Sequence, residues 1–561
     1  MMNKYIKCVV CWGMVSMALL SSCNDEWDSH YESDGGVPGV SLMDLLRRDS
    51  RLEKFCQIIE KTHGDTLLSS TQTYTVWAPR NEALADVDMD DMDALRRLVK
   101  NHIARYTNPS STSPEKKIYM LNNKIMSFKD SNRFMDASIE EKDMLAQNGV
   151  LNVLREQIPY QFNILERMAT DANYSKVYDF ITRWNQKNYD PGLSTAYDSV
   201  FVDYNPMLES LGYGIGLLDN EDSLYTMIIP DNAAWDEAMA RLQPYFKPGS
   251  KLTGDALIAY QDSASESRAG QAILAGLTFP GVKFQNAQGE FVDPVTWDSL
   301  YTVDRHLLYK KDLQAYFNGY DLEKASNGYM YLAHGHLNMA DTCTWNLPVK
   351  VEGENSYYTI KDLALSSAIR TTTDYSAVQG VSGNAYLEMS ASNNNTGVTF
   401  KLPQVLAGKY EIWVDYVPPI IDGVAKKTRM QYQLKYTLEN GSLPLRPNVT
   451  FKEDNFIVEN AMDYEGGADA SNMDMGVNEG VESERPMVKE HVIAQKVGEV
   501  EFPVADYYDG MWHYDEQNAN ITTTINTTLK VLFNVSSAEL KDKEWERTVR
   551  IDRVRLVPVL E

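Results

Sequence analysis

Short apolar runs alternate with amphipathic stretches over the first 350 residues, and two of those runs are nearly the same. Residues 74–84 read "YTVWAPRNEAL" and residues 225–235 read "YTMIIPDNAAW". Both place Tyr-Thr (Tyr74-Thr75, Tyr225-Thr226) before three apolar residues, Pro, any residue, Asn, any residue, Ala and a bulky apolar residue. Aromatic and β-branched residues in such a run predict a buried strand. Pro79 and Pro230 end it, because proline cannot donate to a sheet ladder. Asn81 and Asn232 then stand where a side chain can cap the helix that follows.

A second pair of matches follows in the same order. "AQNGVLNVL" (146–154) and "ASNGYMYLA" (325–333) each set Asn-Gly before an apolar strand, at Asn148-Gly149 and Asn327-Gly328. Both residue types tolerate positive φ, so the pair predicts a turn. Two ordered matches predict a duplication. From Asn81 to Asn148 is 67 residues, and from Asn232 to Asn327 is 95. The second copy is therefore expected to carry an insertion, placed within "KPGSKLTGDALIAYQDSASESRAG" (247–270).

After residue 352 the pattern shifts to period-two alternation broken by Gly, Asn and Pro. "NAYLEMSAS", "TGVTFKLP", "GKYEIWVDYVP", "MQYQLKYTL", "TTLKVLFNV" and "TVRIDRVRLVPVL" predict strands of an all-β sandwich over 353–561. Trp413 alternates with apolar neighbours and is expected in the core. Residues 458–486 are acidic, Gly-rich and non-periodic, which predicts a solvated loop without the ligand spacing of a calcium-binding hand.

Length adds that 561 residues exceed one compact core and imply several domains. At 43% hydrophobic and 24% charged residues, wholesale disorder is excluded. A formal charge of −26 excludes a nucleic-acid partner, since phosphate binding needs a basic surface. Lys4 and Lys7 precede the apolar run "CVVCWGMVSMALL", which ends in small residues as a secretory signal does. The ending "LSSC" resembles a bacterial lipobox, which implies a signal peptide over 1–22 and lipidation at Cys23. Residues 23–39 form an acidic tether. An acidic stretch after a lipidated cysteine resembles the surface-export signal of Bacteroidetes lipoproteins, which implies an outer-membrane lipoprotein exposed at the cell surface. Cys8 and Cys11 leave with the signal, and Cys56 and Cys343 fall in different expected domains without metal-type spacing. They are expected to be buried and unreactive.

The paired segments resemble fasciclin (FAS1) domains, whose hallmark is a strand of this type followed by a helix. His102 in "LVKNHIARY" resembles the histidine of the family's middle motif, and Asn152 stands where a histidine is common. In the second copy "AILAGLTFPG" covers the region of His102 without a clear counterpart. The resemblance implies a multidomain α+β chain with two FAS1-like wedge-shaped β-sandwiches flanked by helices, over 40–168 and 169–352. It also implies a role in adhesion and extracellular interaction. In the last third, "GKYEIWV" (408–414) and "RIDRVRLVPV" are similar to strands of jelly-roll carbohydrate-binding modules.

Candidate chemistry is sparse. "ADYYDGMWHYDE" gathers Tyr507, Tyr508, Trp512 and Tyr514, whose ring faces could stack on sugars beside carboxylates that accept hydroxyl hydrogen bonds. The alternative is that these rings cover the sandwich edge. His334 and His336 in "HGH" share a face if extended, but two histidines make a weak metal site and a turn beside the sheet is the plainer reading. "GYGIG" (212–216) reads as a bend. No zinc-protease, nucleophile-elbow or phosphate-loop motif is present. The expectation is a non-catalytic lipoprotein without cofactor or metal, for adhesion or for capture of an extracellular glycan or protein. One alternative is an accessory subunit of a TonB-dependent glycan transporter, and another is a glycan-active hydrolase.

Overall fold

The computed structural model describes residues 39–560, except 111–115, 193, 195–198, 210–213, 251, 285, 287–289, 340–344, 363–367, 373–379, 394–395, 418–419, 422–423, 426–427, 437–447, 452–456, 459–491, 506–526 and 544. Two compact units divide the chain. One runs to Asn163 and includes Asn220–Asp222, and the other holds Ile164–Asp219 and everything from Ser223 onward. No described helix is long and apolar enough to cross a membrane.

In the first unit Tyr74–Pro79 and Gly149–Leu154 lie side by side in parallel, at the centre of a six-stranded sheet. Ile103–Arg105 flanks the first of them, and Ala137–Ala146 flanks the second. Both central strands are buried along their whole length, as a parallel pair covered on both faces must be. Alternation sends Val76, Leu151 and Val153 to one face, where Phe55, Ile58, Ile59, Leu95 and Val99 of two helices cover them. It sends Trp77 and Leu154 to the other, where Trp77 stacks on Phe134 with ring centroids 4.1 Å apart.

The sheet in the second unit is built on Tyr225–Pro230 and Gly328–Ala333, again parallel. Tyr74 faces Gly149 and Pro79 faces Leu154; Tyr225 faces Gly328 and Pro230 faces Ala333. The register is the same residue for residue. Flanking strands are Thr278–Pro280 and Asp321–Ala325. From Tyr225 to Thr278 the chain spends 53 residues, against 29 from Tyr74 to Ile103. Most of the extra length is a 24-residue helix, Gly254–Leu277, where the first unit has the 10-residue Met92–Asn101.

Two sheets of antiparallel strands follow, packed face to face as a β-sandwich. One holds Tyr386–Ser390, Thr548–Val559, Gly408–Tyr416 and Ile493–Phe502 as neighbours. The other centres on Gly397–Lys401, Thr528–Phe533 and Thr428–Lys435. Inward residues such as Ile412, Val414, Leu434, Val531, Ile551 and Val554 fill the core, and the hydroxyls of Tyr416 and Tyr432 pair across it. Ile493–Phe502 was not expected as a strand, and Ile457–Val458 is one, so the predicted 458–486 loop begins inside a strand. The rest of that loop lies outside the described residues.

The junctions fall a few residues from their expected places. Helix Ile164–Thr170 spans the expected 168/169 boundary and packs wholly in the second unit. Val349–Glu352 pairs with Thr548–Val559, so the sandwich starts before residue 353. Within this unit the long connection also grips the sandwich. Tyr245 O accepts from Ala407 N (2.9 Å) and Lys247 O from Ala505 N (2.7 Å). Trp345 meets the Tyr245 ring edge-on at 4.9 Å.

Candidate functional site

The repeated motif residues sit in the scaffold, and two of them act differently from expectation. Asn81 and Asn232 do not cap the helices that follow. Asn81 Oδ1 accepts from Lys54 N (2.9 Å), and Asn232 Oδ1 accepts from Lys176 N (3.0 Å). Each therefore caps a helix that precedes the strand, whose free first-turn N–H groups lie beside the corner. Helix Asn232–Leu242 is capped instead by Asp231, which accepts from Ala234 N. Asn148 and Asn327 are staples. Asn148 accepts from Leu42 N (2.8 Å) and donates to Leu68 O (2.7 Å); Asn327 accepts from Ile164 N (3.1 Å) and donates to Leu218 O (2.8 Å). Gly149 and Gly328 adopt φ of 143° and 149°. A Cβ there would stand 1.8 Å from Tyr74 O and 1.7 Å from Tyr225 O. Only glycine lets the parallel strand enter this close.

His102 is fully buried. Its Nδ1 lies 2.9 Å from Leu98 O, and its Nε2 accepts from Ile158 N at 3.1 Å. That pair of partners requires a neutral ring with the proton on Nδ1, and burial pushes its pKa down to about 4. The strand registers set Leu277 at the same place in the second sheet. Asn152, buried opposite Trp77, accepts from Asp143 N (3.0 Å), and Tyr331 holds its place in the second sheet.

Cys56 is buried and unpaired, its thiol pushed up by burial. Cys23, Cys343 and the aromatic candidates Tyr507, Tyr508, Trp512 and Tyr514 lie outside the described residues. His334 and His336 sit in the turn after Gly328–Ala333 and face separate carboxylates, Asp321 at 3.1 Å and Glu237 at 3.5 Å. Among the described residues no three His, Cys, Asp or Glu side chains gather as metal ligands.

The richest chemistry lies on the outward face of the sandwich, and it centres on a residue expected in the core. Trp413 shares its face with Lys409 and Glu411 rather than with inward Ile412 and Val414, and it is only half-buried. Period two dictates this parity. Arg555 and Lys496 are its cross-strand neighbours. The Arg555 guanidinium lies 5.7 Å from the ring, and the indole Nε1–H donates to Glu411 at 3.0 Å. Lys496 bonds Glu411 and Glu499, which raises its pKa and keeps it charged. Beneath them Asp415, almost wholly buried, accepts from Arg553 Nε and Arg555 Nη2, both at 2.7 Å. Burial works against the Arg553 charge, and the adjacent Asp415 carboxylate outweighs it. The result is a half-buried aromatic ring backed by the nearly buried Arg555 and flanked by the accessible Lys496 and Glu411, suited to stacking and to hydroxyl hydrogen bonds.

A few residues along the same strand the ladder slips. Asp415 pairs with Arg553 and Tyr416 with Ile551, so Asp552 is the extra residue of a β-bulge. Its Oδ1 accepts from Ser382 N (2.9 Å), while Oδ2 has no hydrogen-bond partner and lies 4.0 Å from Arg553 Nε. Burial, with Glu352 and Asp415 nearby, pushes its pKa up to about 8, so it holds a proton at neutral pH.

Comparison with known proteins bears on the first unit. A family model for the fasciclin domain matches residues 50–158. That part of the chain is a FAS1-like domain. No curated protein matches the chain. Among solved structures it is similar to the FAS1 domain pair of the insect cell adhesion molecule fasciclin I, at 14% identity over 53% of this chain and 99% of that one, with a TM-score of 0.20. It is similar to Paenibacillus xanthan lyase at 12% identity over 41% of this chain and 14% of that one, with a TM-score of 0.21. It is also similar to a family 35 carbohydrate binding module from Clostridium thermocellum, at 11% identity over 37% and 97%, with a TM-score of 0.18. Overlaps this small leave the function to be read from the chain's own residues.

Proposed function

We propose that this chain is a non-catalytic, surface-anchored lipoprotein that captures an extracellular glycan on the outward face of its C-terminal sandwich. The observation that carries the reading is Trp413, turned outward and held between Arg555, Lys496 and Glu411. An aromatic face stacks on the C–H surface of a pyranose, and flanking charges fix its hydroxyls. In this reading the second sheet is a second FAS1-like repeat and the sandwich is jelly-roll-like. Both repeats serve as a stalk, with Cys23 as the lipid anchor on an outer membrane of Bacteroidetes type.

The partner can be a free polysaccharide, a protein-borne glycan or the glycan cargo of a TonB-dependent transporter. A glycan array read with the full chain and with Trp413→Ala tests the claim. The variant should lose at least tenfold in affinity for whatever the parent retains, with its melting temperature unchanged. Equal retention by both would remove the sandwich face from the account. Cys23→Ala should release the protein from membranes, and unchanged retention would defeat the anchor. A second reading, glycan hydrolysis, requires turnover that disappears when a single carboxylate is changed.

A further inference from the structure

We propose that the first unit carries a separate cleft for an acidic saccharide, one whose sugar carboxylate is taken by Arg105 and whose ring lies against Tyr106 and Tyr119. The cleft, of about 420 Å³, lies between Arg105–Asn108 and Lys117–Asn123. That volume suits one or two sugar rings. Although the chain carries a net charge of −26, the residues lining this cleft include two cations and no carboxylate. Lys117 and Tyr119 are already engaged with Asp222 at the cleft's edge, whose carboxylate lies 2.9 Å from the ammonium and 3.3 Å from the hydroxyl. Arg105 is exposed, and its guanidinium makes no hydrogen bond or ion pair among the described residues. A free guanidinium offers two parallel N–H donors that match a carboxylate. Tyr106 is 68% exposed and Tyr119 is 52% exposed, so two aromatic faces stand at the cleft.

Tyr106 is also held in a conformation that a bulky residue rarely adopts, with φ of 67°. Its N–H donates to Thr73 O (2.8 Å), and its carbonyl accepts from Thr75 Oγ1 (2.8 Å) and Asn108 Nδ2 (3.2 Å). Strain of this kind persists only where the surroundings over-determine it. The fold does not require it. By strand register Pro280 and Gly281 stand where the first unit has Arg105 and Tyr106, and the equivalent Thr226 hydroxyl has no partner. Only the first copy pairs a guanidinium with a ring at this place. The site is independent of Trp413.

The test is calorimetric titration of the full chain with trigalacturonate, beside its fully methyl-esterified form. Arg105→Gln removes the charge at an exposed, unbonded side chain, and Tyr106→Gly removes the ring where glycine relieves the backbone. Both variants should fold with the parent's melting temperature. Arg105→Gln and methyl esterification should each weaken binding about tenfold or more, which corresponds to losing one charge-assisted pair. Tyr106→Gly should weaken it severalfold, and Trp413→Ala should leave it unchanged. No heat with trigalacturonate up to about 10 mM would overturn the proposal. Equal affinity for the ester, or binding lost in Trp413→Ala and kept in Arg105→Gln, would overturn it as well.

Discussion

The sheets built on Tyr74–Pro79 and on Tyr225–Pro230 share one parallel register, one glycine entry and two asparagine bridges. Around that frame they part. The first seats a buried histidine where the second has Leu277. Thr75 bonds the Tyr106 carbonyl and accepts from Asn108 N, while the hydroxyl of Thr226 is buried without a partner. The shared positions are those where backbone geometry admits one residue type or where an amide must donate and accept at once. The divergent positions answer to local packing.

Gly149→Ala and Gly328→Ala drive a Cβ into a strand carbonyl, and each should cost roughly 4 kcal/mol or more by denaturant unfolding of its unit. A tolerated alanine in either sheet would show that the shared register is not enforced there. Next is acid. His102 is neutral when folded, with a pKa of about 4 against 6.5 when unfolded. The unfolded chain therefore binds the extra proton first, and stability is lost as pH falls from about 6.5 to 4, by roughly 3 kcal/mol. His102→Leu, the residue type at this place in the second sheet, should abolish that slope in the first unit. The sandwich should run the other way. Asp552 holds its proton in the folded state up to pH about 8, so its contribution is complete below about pH 4 and fades as pH rises toward 8. Asp552→Asn should flatten that limb.

Smaller effects separate the two sheets more finely. Thr75→Val should cost about 1–2 kcal/mol, because it strands the Asn108 N–H and takes the shorter of two donors from the Tyr106 carbonyl, whereas Thr226→Val should be neutral or stabilising. Equal costs would mean the two threonines do the same work. Asn81→Ala and Asn232→Ala should each cost about 1 kcal/mol, the usual loss for a helix cap.

Much of the frame could be read from the sequence for the reason the two sheets agree. Gly149 and Asn148 stand at backbone positions with no substitute, so they recur in recognisable spacing. Six sandwich strands were legible from alternation. Ile493–Phe502 was not, because Gln495, Lys496, Gly498 and Glu499 interrupt its apolar half. The asparagine caps were misjudged because their partners, Lys54 and Lys176, lie far back in the chain. Of the candidate site, the aromatic and charged residue types were visible and their grouping was not. Trp413 shares odd parity with Lys409 and Glu411, a signal present in the sequence and masked by its apolar neighbours. Arg555 meets it only through strand pairing, and it ties in Asp415 from two residues along the same strand.

The central claim is that the repeated motif builds a scaffold and that binding lies on a face the motif does not mark. Affinity electrophoresis of the full chain, Trp413→Ala and Asn81→Ala on a polysaccharide that retards the parent, with melting curves for all three, tests it most directly. Trp413→Ala should migrate freely and melt like the parent, while Asn81→Ala should be retarded like the parent and melt lower. Retardation lost in Asn81→Ala at a temperature where it is folded, and kept in Trp413→Ala, would contradict it.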